Sequence, residues 1–441
     1  MVQGLCIGYF VRVDGLLSRR ACEAAVKVLQ VPFAFHPDPV GGTEVFVEAL
    51  SNRLRGQGVE CIIAAPGAAS CGEQAGLRVW RYPVGTELRD LREMYGEGDA
   101  TAAAAFDGIL ERERPDVVHL HAQTRGVSLR LLRLAKRRRI PVAYTYHTPT
   151  ATCMRGTLLR WGQEVCDGRM DESLCTACTL DGKGVNRAAA RCLAALPAAV
   201  SALPGRWGLH GGAWTAWRMR ELVALRQRCA REFLGEADAI VAVCEWVRAV
   251  LLRNGVPAEK ITLSRQGLCQ ELGEAKAESG KRKAESGNSP LRVAFLGRLD
   301  PTKGVEILLH ALKSIPGAKL ALDIYGIAQG SGGEAYADSL RQLAAGDPRI
   351  TFHAPVPASR VVETLRGYDL IAVPSQWLET GPMVVLEAFA AGTTIGPVSS
   401  HWDGTASKSY PPRVSTTRLA GRGEWKVMRE SPAARCRNEF A

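Results

Sequence analysis

Short apolar runs alternate with longer amphipathic stretches along most of this chain. The first series of runs is Val28–Val31, Glu60–Ala64, Val117–Leu120, Val142–Tyr146 and Ala239–Val243, and the second is Val293–Leu296, Ala321–Tyr325, Ile350–Phe352 and Leu370–Val373. Short runs rich in Val and Ile, separated by helical patterns, are typical of buried strands in a parallel sheet. The sequence therefore predicts an α/β protein with two series of βα units.

A polar stretch separates the two series. Residues 271–290 read ELGEAKAESGKRKAESGNSP, in which KAESG occurs twice, and they contain almost nothing that could be buried. Such a segment is typical of a flexible linker. Because 441 residues exceed one typical domain, we predict one α/β domain over residues 26–270 and a second over 291–393.

Composition narrows the class of protein. A hydrophobic content of 46% is enough for two cores, and no run has the length and apolarity of a membrane span. Thirteen irregularly spaced cysteines, an odd number, and the lack of a signal-peptide pattern favour reduced thiols in the cytoplasm. A net charge of +11 suits an anionic partner, namely a nucleotide sugar or a phospholipid surface. Nucleic acid is disfavoured because the basic residues are dispersed.

Two glutamates flank a predicted helix start in ETGPMVVLEAFAAG, residues 379–392. Pro382 suits the first helical position, and Gly392 suits the left-handed residue that ends a helix. Glu387 then falls in the second turn and Glu379 on the preceding loop. Beside a helix N-terminus, which favours anions, two carboxylates predict a site for a sugar joined to a diphosphate. Taken alone, such a pair is more often a pair of solvated surface charges.

Two further loops carry phosphate-binding features. In LRVAFLGRLDPTKGVEILLHAL a strand, a turn and a helix start follow one another, with Arg298 and Lys303 on the turn. A guanidinium and an ammonium group there could hold a diphosphate, although basic residues on such loops are usually only solvated. After the first strand, Gly41 and Gly42 would let backbone N–H groups approach a ligand closely.

Histidines mark the ends of two strands in the first series. The strand Val117–Leu120 runs into HLH, which places His119 and His121 on one face, and the next strand ends in TYHT with His147 at an equivalent edge. The alternative is a hydrogen-bonded histidine that merely caps a strand.

Together these motifs resemble the retaining glycosyltransferases of the bacterial group 4 family, which have the GT-B fold. The matching segments are GGTE, RPDVVHLH, PVAYTYHTP, ADAIVAVCEWVRAVLLRNGVPAEKI, VAFLGRLDPTKGVEILLHAL and YDLIAVPSQWLETGPMVVLEAFAAG. The resemblance implies two Rossmann-like domains facing across a cleft. It also implies transfer of a sugar from a nucleotide-diphosphate sugar to a saccharide or lipid-linked acceptor in surface polysaccharide or glycolipid synthesis, with no catalytic metal.

The resemblance also implies roles for individual residues. His121 would contact the transferred sugar, with His147 as a further sugar or acceptor contact, and Glu379 would hold sugar hydroxyls at the catalytic centre. The implied donor-binding set is Gly41, Gly42, Arg298, Lys303, Gly381, Pro382, Met383 and Glu387, in which Glu387 holds the nucleotide ribose.

Four cysteines form a separate cluster in an insertion over residues 150–185. Cys153, Cys166, Cys175 and Cys178 end in a C-x-x-C spacing that suits a structural zinc site. Buried thiols or a redox-sensitive pair are the alternatives.

The stretch that follows the insertion mixes aromatic and cationic residues. Trp207, Trp214 and Trp217 lie among several arginines, which are Arg206, Arg218, Arg220, Arg226, Arg228 and Arg231. This composition suits the interface of a bilayer and favours peripheral contact with the inner face of the cell membrane. An ordinary amphipathic helix packed on the domain is the alternative.

Both ends of the chain depart from the family pattern. Residues 1–25 look like an N-terminal extension, and residues 394–441 are polar and basic without periodicity where the family has a strand, a glycine-rich loop and helices. We therefore expect a frameshift, an incomplete second domain, a disordered tail and poor sugar transfer. An inactive sugar-nucleotide or lipid-binding relative is the main alternative function, and a nucleotide-sugar epimerase is a more distant one.

Overall fold

The computed structural model describes residues 26–37, 41–86, 90–267, 289–328, 332–377 and 379–396. The strands are β1 Lys27–Val31, β2 Glu60–Pro66, β3 Ser70–Gln74, β4 Leu77–Tyr82, β5 Val117–Leu120, β6 Val142–Tyr146, β7 Leu159–Arg160, β8 Glu164–Val165, β9 Ala239–Ala242, β10 Ile261–Leu263, β11 Leu291–Arg298, β12 Leu320–Ile327, β13 Ile350–His353, β14 Leu370–Ala372 and β15 Thr394–Gly396. The helices are α1 Gly42–Arg55, α2 Leu91–Tyr95, α3 Ala100–Glu113, α4 Leu129–Arg137, α5 Glu172–Asp181, α6 Arg187–Ala195, α7 Ala198–Ser201, α8 Leu203–Arg206, α9 Gly212–Glu236, α10 Glu245–Arg253, α11 Val305–Lys313, α12 Gly333–Ala344, α13 Val361–Leu365 and α14 Met383–Ala391.

The first sheet contains eight strands in the order β10-β9-β6-β5-β1-β2-β4-β3. All neighbouring pairs are parallel except β3 with β4. Starting from β1, the chain first builds one side of the sheet and then returns to build the other from β5. The strand order therefore reverses between β1 and β5, and such a switch point opens a crevice at the carboxyl ends of the two strands.

The second sheet contains five parallel strands in the order β13-β12-β11-β14-β15. The same reversal occurs between β11 and β14, so a second crevice is expected at their carboxyl ends. Numbered along the chain from β11, this order is 3-2-1-4-5, which matches the first five strands of the Rossmann order 3-2-1-4-5-6. The alternating pattern predicted that the sheet is parallel.

Helices cover both sheets because the central strands are apolar and buried on both faces. In the first sheet Val118 and Tyr144 pack with Phe106, Leu131 and Phe233 in one cluster. A separate cluster on the first sheet joins residues of β1, β2 and β4 to α1. The second sheet is likewise packed against α11 and α12 in one cluster and α13 and α14 in another.

The cysteine-rich insertion packs as a small unit against the long helix α9. It contains the β7–β8 hairpin and the helix α5. Apolar residues of α5 and of the following helix α6 pack with α9 in one cluster. Within the described ranges no single helix has the length and apolarity of a membrane span. One pair of consecutive helical segments, Arg187–Ala195 and Ala198–Arg206, has the length and apolar composition of a span when taken together, but the two segments meet at an angle of 110°.

The expectation that native structure stops at Thr393 is wrong by one strand. The strand β15 pairs in parallel with β14, with Thr394 opposite Leu370, and Ile395 is buried. Three residues are too few to show a period in the sequence, which is why this strand was missed. The predicted extension 1–25, the linker over 271–288 and the tail from residue 397 onward lie outside the described residues.

Candidate active site

The carboxylate of Glu387 lies in the second turn of α14, as its spacing predicted. Pro382 is the residue before the helix rather than its first residue, and Gly392 ends the helix with φ 73°. Burial raises the pKa of Glu387 to about 7. No described residue donates a hydrogen bond to this carboxylate, so it is a desolvated acceptor that hydroxyl donors of a ligand could satisfy.

The second glutamate is held by a lysine and a serine. Glu379 Oε1 accepts from Lys303 Nζ at 2.6 Å and from Ser375 Oγ at 2.6 Å. The Lys303 ammonium also lies 5.2 Å from the centroid of the Trp377 ring. Lys303 follows β11 and Glu379 follows β14, so the pair lies at the crevice where the strand order reverses.

A glycine makes this pairing sterically feasible. Gly304 adopts φ 71°, and a Cβ at this position would lie 2.0 Å from the carbonyl oxygen of Pro374. Asp300 stabilises the preceding turn because its Oδ1 accepts from the Thr302 N–H at 2.9 Å. The loops after β11 and β14 can therefore approach closely only with a glycine next to Lys303.

Arg298 is the last residue of β11, and its side chain is partly buried. None of the described residues hydrogen-bonds to its guanidinium or forms an ion pair with it. Since Arg298 and Lys303 flank one turn, the crevice offers one unpaired cation and one cation that is neutralised by Glu379. Such a pair could hold a diphosphate.

On the first domain the strand-end histidines form a buried hydrogen-bonded chain. His121 Nδ1 lies 3.0 Å from His147 Nε2, and His121 Nε2 lies 2.7 Å from Gln30 Oε1. Gln266 Nε2 lies 3.4 Å from His147 Nδ1. His119, whose ring centroid is 4.0 Å from that of His121, bonds instead to Thr145.

These contacts define one consistent set of neutral tautomers. Gln30 Oε1 can only accept, so His121 Nε2–H donates to it, and His121 Nδ1 then accepts from His147 Nε2–H. His147 Nδ1 in turn accepts from the amide of Gln266. Burial lowers the pKa of His119 and of His147 to about 3 and holds that of His121 well below its usual range. All three rings are therefore neutral near pH 7.

This arrangement bears on the predicted sugar contacts. Both ring nitrogens of His121 are engaged within the protein, so a sugar hydroxyl would have to replace one of these partners. His147 is the residue nearer to the second domain, because its carbonyl oxygen accepts from Thr380 Oγ1 at 2.6 Å.

Two hydrogen bonds between described residues join the two domains beside the candidate site. Besides the Thr380 bond, Trp246 Nε1 donates to the carbonyl oxygen of Glu379 at 3.0 Å. Met383 Cγ lies 3.7 Å from the position that a Cβ on Gly42 would take. Gly42 and Met383 therefore lie close together, and their predicted donor-binding roles stay predictions. Thr380 and Trp246 carry no sequence signal and were missed.

The neighbouring glycine has a different local partner. The backbone N–H of Gly41 donates to Glu44 Oε2 at 2.8 Å in the cap of α1. While this bond persists, the N–H is not available to a phosphate. The predicted ligand role of Gly41 stays a prediction.

The four clustered cysteines lie close enough to influence one another. Burial raises the pKa of Cys175 to about 12, and the thiols of Cys153, Cys166 and Cys178 contribute to that rise. Over the described ranges, however, no three His, Cys, Asp or Glu side chains are arranged to hold a metal ion. All four cysteines are free thiols, and Cys178 Sγ accepts from the Trp161 N–H at 3.4 Å. The predicted zinc site is therefore not assembled in this structure, and zinc binding stays a prediction.

The stretch with tryptophans and arginines divides into two parts. Trp207, Trp214 and Trp217 are exposed, as an interfacial surface requires. Arg218 is instead buried and pairs with Glu221 at 3.1 Å, and Arg226 points inward to backbone carbonyl groups. The predicted grouping of all six arginines on one interfacial surface is wrong for these two.

Comparison with known proteins gives matches for both halves of the chain. A family described as glycosyl transferase 4-like domain matches residues 41–175, and one described as glycosyl transferases group 1 matches residues 277–400. The D-inositol 3-phosphate glycosyltransferase of Nocardia farcinica is 34% identical over 176 residues, which are 37% of this chain and 38% of that protein. The enzyme of the same name from Mycobacteroides abscessus is 31% identical over 183 residues, 39% of each chain. The chain thus spans about two fifths of the length of these curated relatives.

Solved structures match over most of the chain. The structure of Anabaena HepE in complex with UDP and glucose has a TM-score of 0.50 at 14% identity, covering 85% of this chain and 82% of that one. Sucrose-phosphate synthase from Thermosynechococcus elongatus has a TM-score of 0.50 at 18% identity, covering 84% and 80%. At such identities the likeness establishes the fold, which is GT-B with two Rossmann-like domains.

Proposed function

The chain belongs to the group 4 family of glycosyltransferases, and from this premise we propose that it transfers a sugar from a nucleotide-diphosphate sugar to an acceptor hydroxyl. One observation carries the proposal. The crevice between β11 and β14 holds the unpaired Arg298, the Lys303–Glu379 pair and the unsatisfied carboxylate of Glu387. The complex of HepE with UDP and glucose and the names of the curated relatives support the same class of activity.

In the proposed donor complex the diphosphate lies between Arg298 and Lys303. Lys303 then turns at least partly from Glu379 to the phosphate oxygens, which frees the Glu379 carboxylate to accept from sugar hydroxyls. Glu387 accepts from the ribose hydroxyls. Gly381, Pro382 and Met383 lead into α14, where free N–H groups and the helix dipole add positive potential near the phosphates.

We propose that the reaction retains the configuration at the anomeric carbon. The acceptor oxygen bonds to the anomeric carbon from the face that the diphosphate leaves, while the carbon–oxygen bond to the β-phosphate breaks. The acceptor proton passes to a departing β-phosphate oxygen. Arg298 and Lys303 stabilise the negative charge that develops on the leaving group. Neither glutamate acts as a nucleophile, and His121 and His147 position the sugar and the acceptor.

For the acceptor we propose a saccharide or a lipid-linked saccharide used for surface polysaccharide or glycolipid. The exposed Trp207, Trp214 and Trp217 would then rest on the inner face of the membrane. The names of the curated relatives favour a second candidate, a phosphorylated cyclitol such as D-inositol 3-phosphate.

A transfer assay with stereochemical analysis tests the proposal. The full chain is incubated with UDP-, GDP- and ADP-sugars and with candidate acceptors, and the anomeric configuration of the product is read by NMR. We expect a product whose linkage has the configuration of the donor. An inverted linkage would refute retention. Donor binding without turnover would favour the inactive relative, and conversion of the donor sugar without an acceptor would favour an epimerase.

A further inference from the structure

We infer that the acceptor carries a phosphate group and that Arg226 binds it, an inference that rests on the proposed function. Arg226 lies on α9 and is partly buried. Its Nη2 donates to the carbonyl oxygen of Gln123 at 3.1 Å and to that of Thr150 at 2.8 Å. Gln123 comes two residues after His121, and Thr150 three residues after His147. The guanidinium therefore lies beside the strand ends that face the cleft.

The charge of Arg226 has no counterion in the described part of the chain. Burial lowers its pKa, and the ionisable groups near enough to act on it are Tyr144 and Cys229. Burial raises the pKa of both, so neither is charged near pH 7. The buried Arg218, by contrast, pairs with Glu221. A desolvated guanidinium without a carboxylate is costly unless a ligand supplies the anion.

The contacts to the two carbonyl groups explain only part of this side chain. The two hydrogen bonds stabilise the loops after β5 and β6, and both are donated by Nη2 of Arg226. No described residue forms a hydrogen bond with Nε or Nη1 of this side chain. These two nitrogens form the edge of a guanidinium that can pair with two oxygens of one phosphate. A purely structural brace would not need that edge.

A second orphaned group lies on the same loop. Gln123 is only 3% exposed, and its Oε1 has no hydrogen-bond partner among the described residues. A buried amide oxygen without a donor is destabilising, and a hydroxyl of the acceptor would satisfy it. A cation beside an amide acceptor matches a phosphorylated polyol or sugar better than a neutral saccharide.

Calorimetric titration of the full chain tests the inference. UDP is present at saturation so that phosphate sites of the donor crevice are occupied. The probes are inositol monophosphate, unphosphorylated inositol, and phosphatidylcholine vesicles with or without phosphatidylinositol phosphate. The proteins are wild type, Arg226→Gln, Arg226→Lys and Arg228→Gln, an exposed arginine on the same helix that serves as the matched control.

We expect inositol monophosphate to bind wild type and Arg228→Gln equally and Arg226→Gln at least tenfold more weakly. Arg226→Lys should be intermediate because it keeps the charge but loses the planar edge. Preference for the vesicles over the soluble ester would place the phosphate on a lipid, and the reverse would place it on a free polyol or sugar. Unchanged UDP affinity shows that a variant is folded.

Equal affinity of wild type and Arg226→Gln for inositol monophosphate would overturn the inference. So would a wild type that binds the phosphorylated and the unphosphorylated probes equally, or that binds neither. If Arg226→Gln fails to fold, an Arg226→Lys affinity equal to that of wild type overturns it as well. Failure of wild type to bind UDP would instead count against the proposed donor site. The comparison of inositol monophosphate binding between wild type and the Arg226 variants would still test the inference.

Discussion

Replacing Glu387 with glutamine should stabilise the protein at alkaline pH while weakening donor binding. The ordinary pKa of a glutamate, 4.5, rises to about 7 at this site because burial penalises the charged form. At 1.36 kcal/mol per pH unit, a difference of about 2.5 units corresponds to roughly 3 kcal/mol as an upper value. The folded state binds the proton more tightly than the unfolded state. The charged carboxylate therefore lowers the free energy of unfolding progressively as pH rises from 4.5 to 7, and in full above 7.

The assay is urea denaturation at pH 5 and pH 8, followed by circular dichroism. Glu387→Gln should unfold at a higher urea concentration than wild type at pH 8 and show a much smaller difference at pH 5. Glu334→Gln, an exposed glutamate of the same domain, is the control and should change little at either pH. If ribose hydroxyls bind the ionised form, the affinity of wild type for UDP should rise with pH through about 7, and that rise should vanish in Glu387→Gln. Equal stability of the variant and wild type at pH 8 would refute the view that Glu387 is held desolvated for a ligand.

Three further outcomes are expected. Lys303→Ala should lower turnover at least tenfold, since a charge-assisted contact is worth roughly 1.5–3 kcal/mol, whereas the exposed Lys313→Ala should not; equal steady-state rates would count against the diphosphate site. Gly304→Ala should destabilise the second domain by about 2 kcal/mol or more, because its Cβ would lie 2.0 Å from the Pro374 carbonyl oxygen. The control Gly317→Ala should leave the stability unchanged, because a Cβ there has nothing within 4 Å. Urea denaturation of both variants measures the difference, and equal stability of the two would contradict this prediction. The exposed Cys192 should react with a thiol reagent at pH 8 much faster than Cys175, whose pKa is raised to about 12. Fast labelling of Cys175, or one equivalent of bound zinc in elemental analysis, would show that the thiols are arranged differently from the structure described above.

Local patterns were enough to predict the strand and the helix that carry the candidate site of the second domain. The apolar run before Arg298 predicted β11, and the spacing of Pro382, Glu387 and Gly392 predicted the helix that carries Glu387. These features depend on residues close together in the chain, where propensity and periodicity act. The alternation of strands and helices likewise predicted two parallel sheets.

Features that depend on distant contacts could not be predicted in this way. The bonds from Thr380 and Trp246 across the cleft join residues more than a hundred positions apart. Arg226 lies in a stretch whose composition suggested a membrane surface, and only the packing of α9 turns it inward. The zinc prediction depended on the spacing of cysteines, which says nothing about whether four thiols converge on one point.

The affinity of the chain for UDP tests the central claim most directly. Titration calorimetry compares wild type with Arg298→Ala, which removes the unpaired cation of the β11–β14 crevice, and with Arg341→Ala, an exposed arginine on α12, as the control. We expect wild type and Arg341→Ala to bind UDP alike and Arg298→Ala to bind it at least tenfold more weakly, because a charge-assisted contact to the diphosphate is lost. Equal affinity of all three proteins for UDP, or a wild type that binds none of UDP, GDP and ADP, would contradict the assignment of this crevice as the donor site.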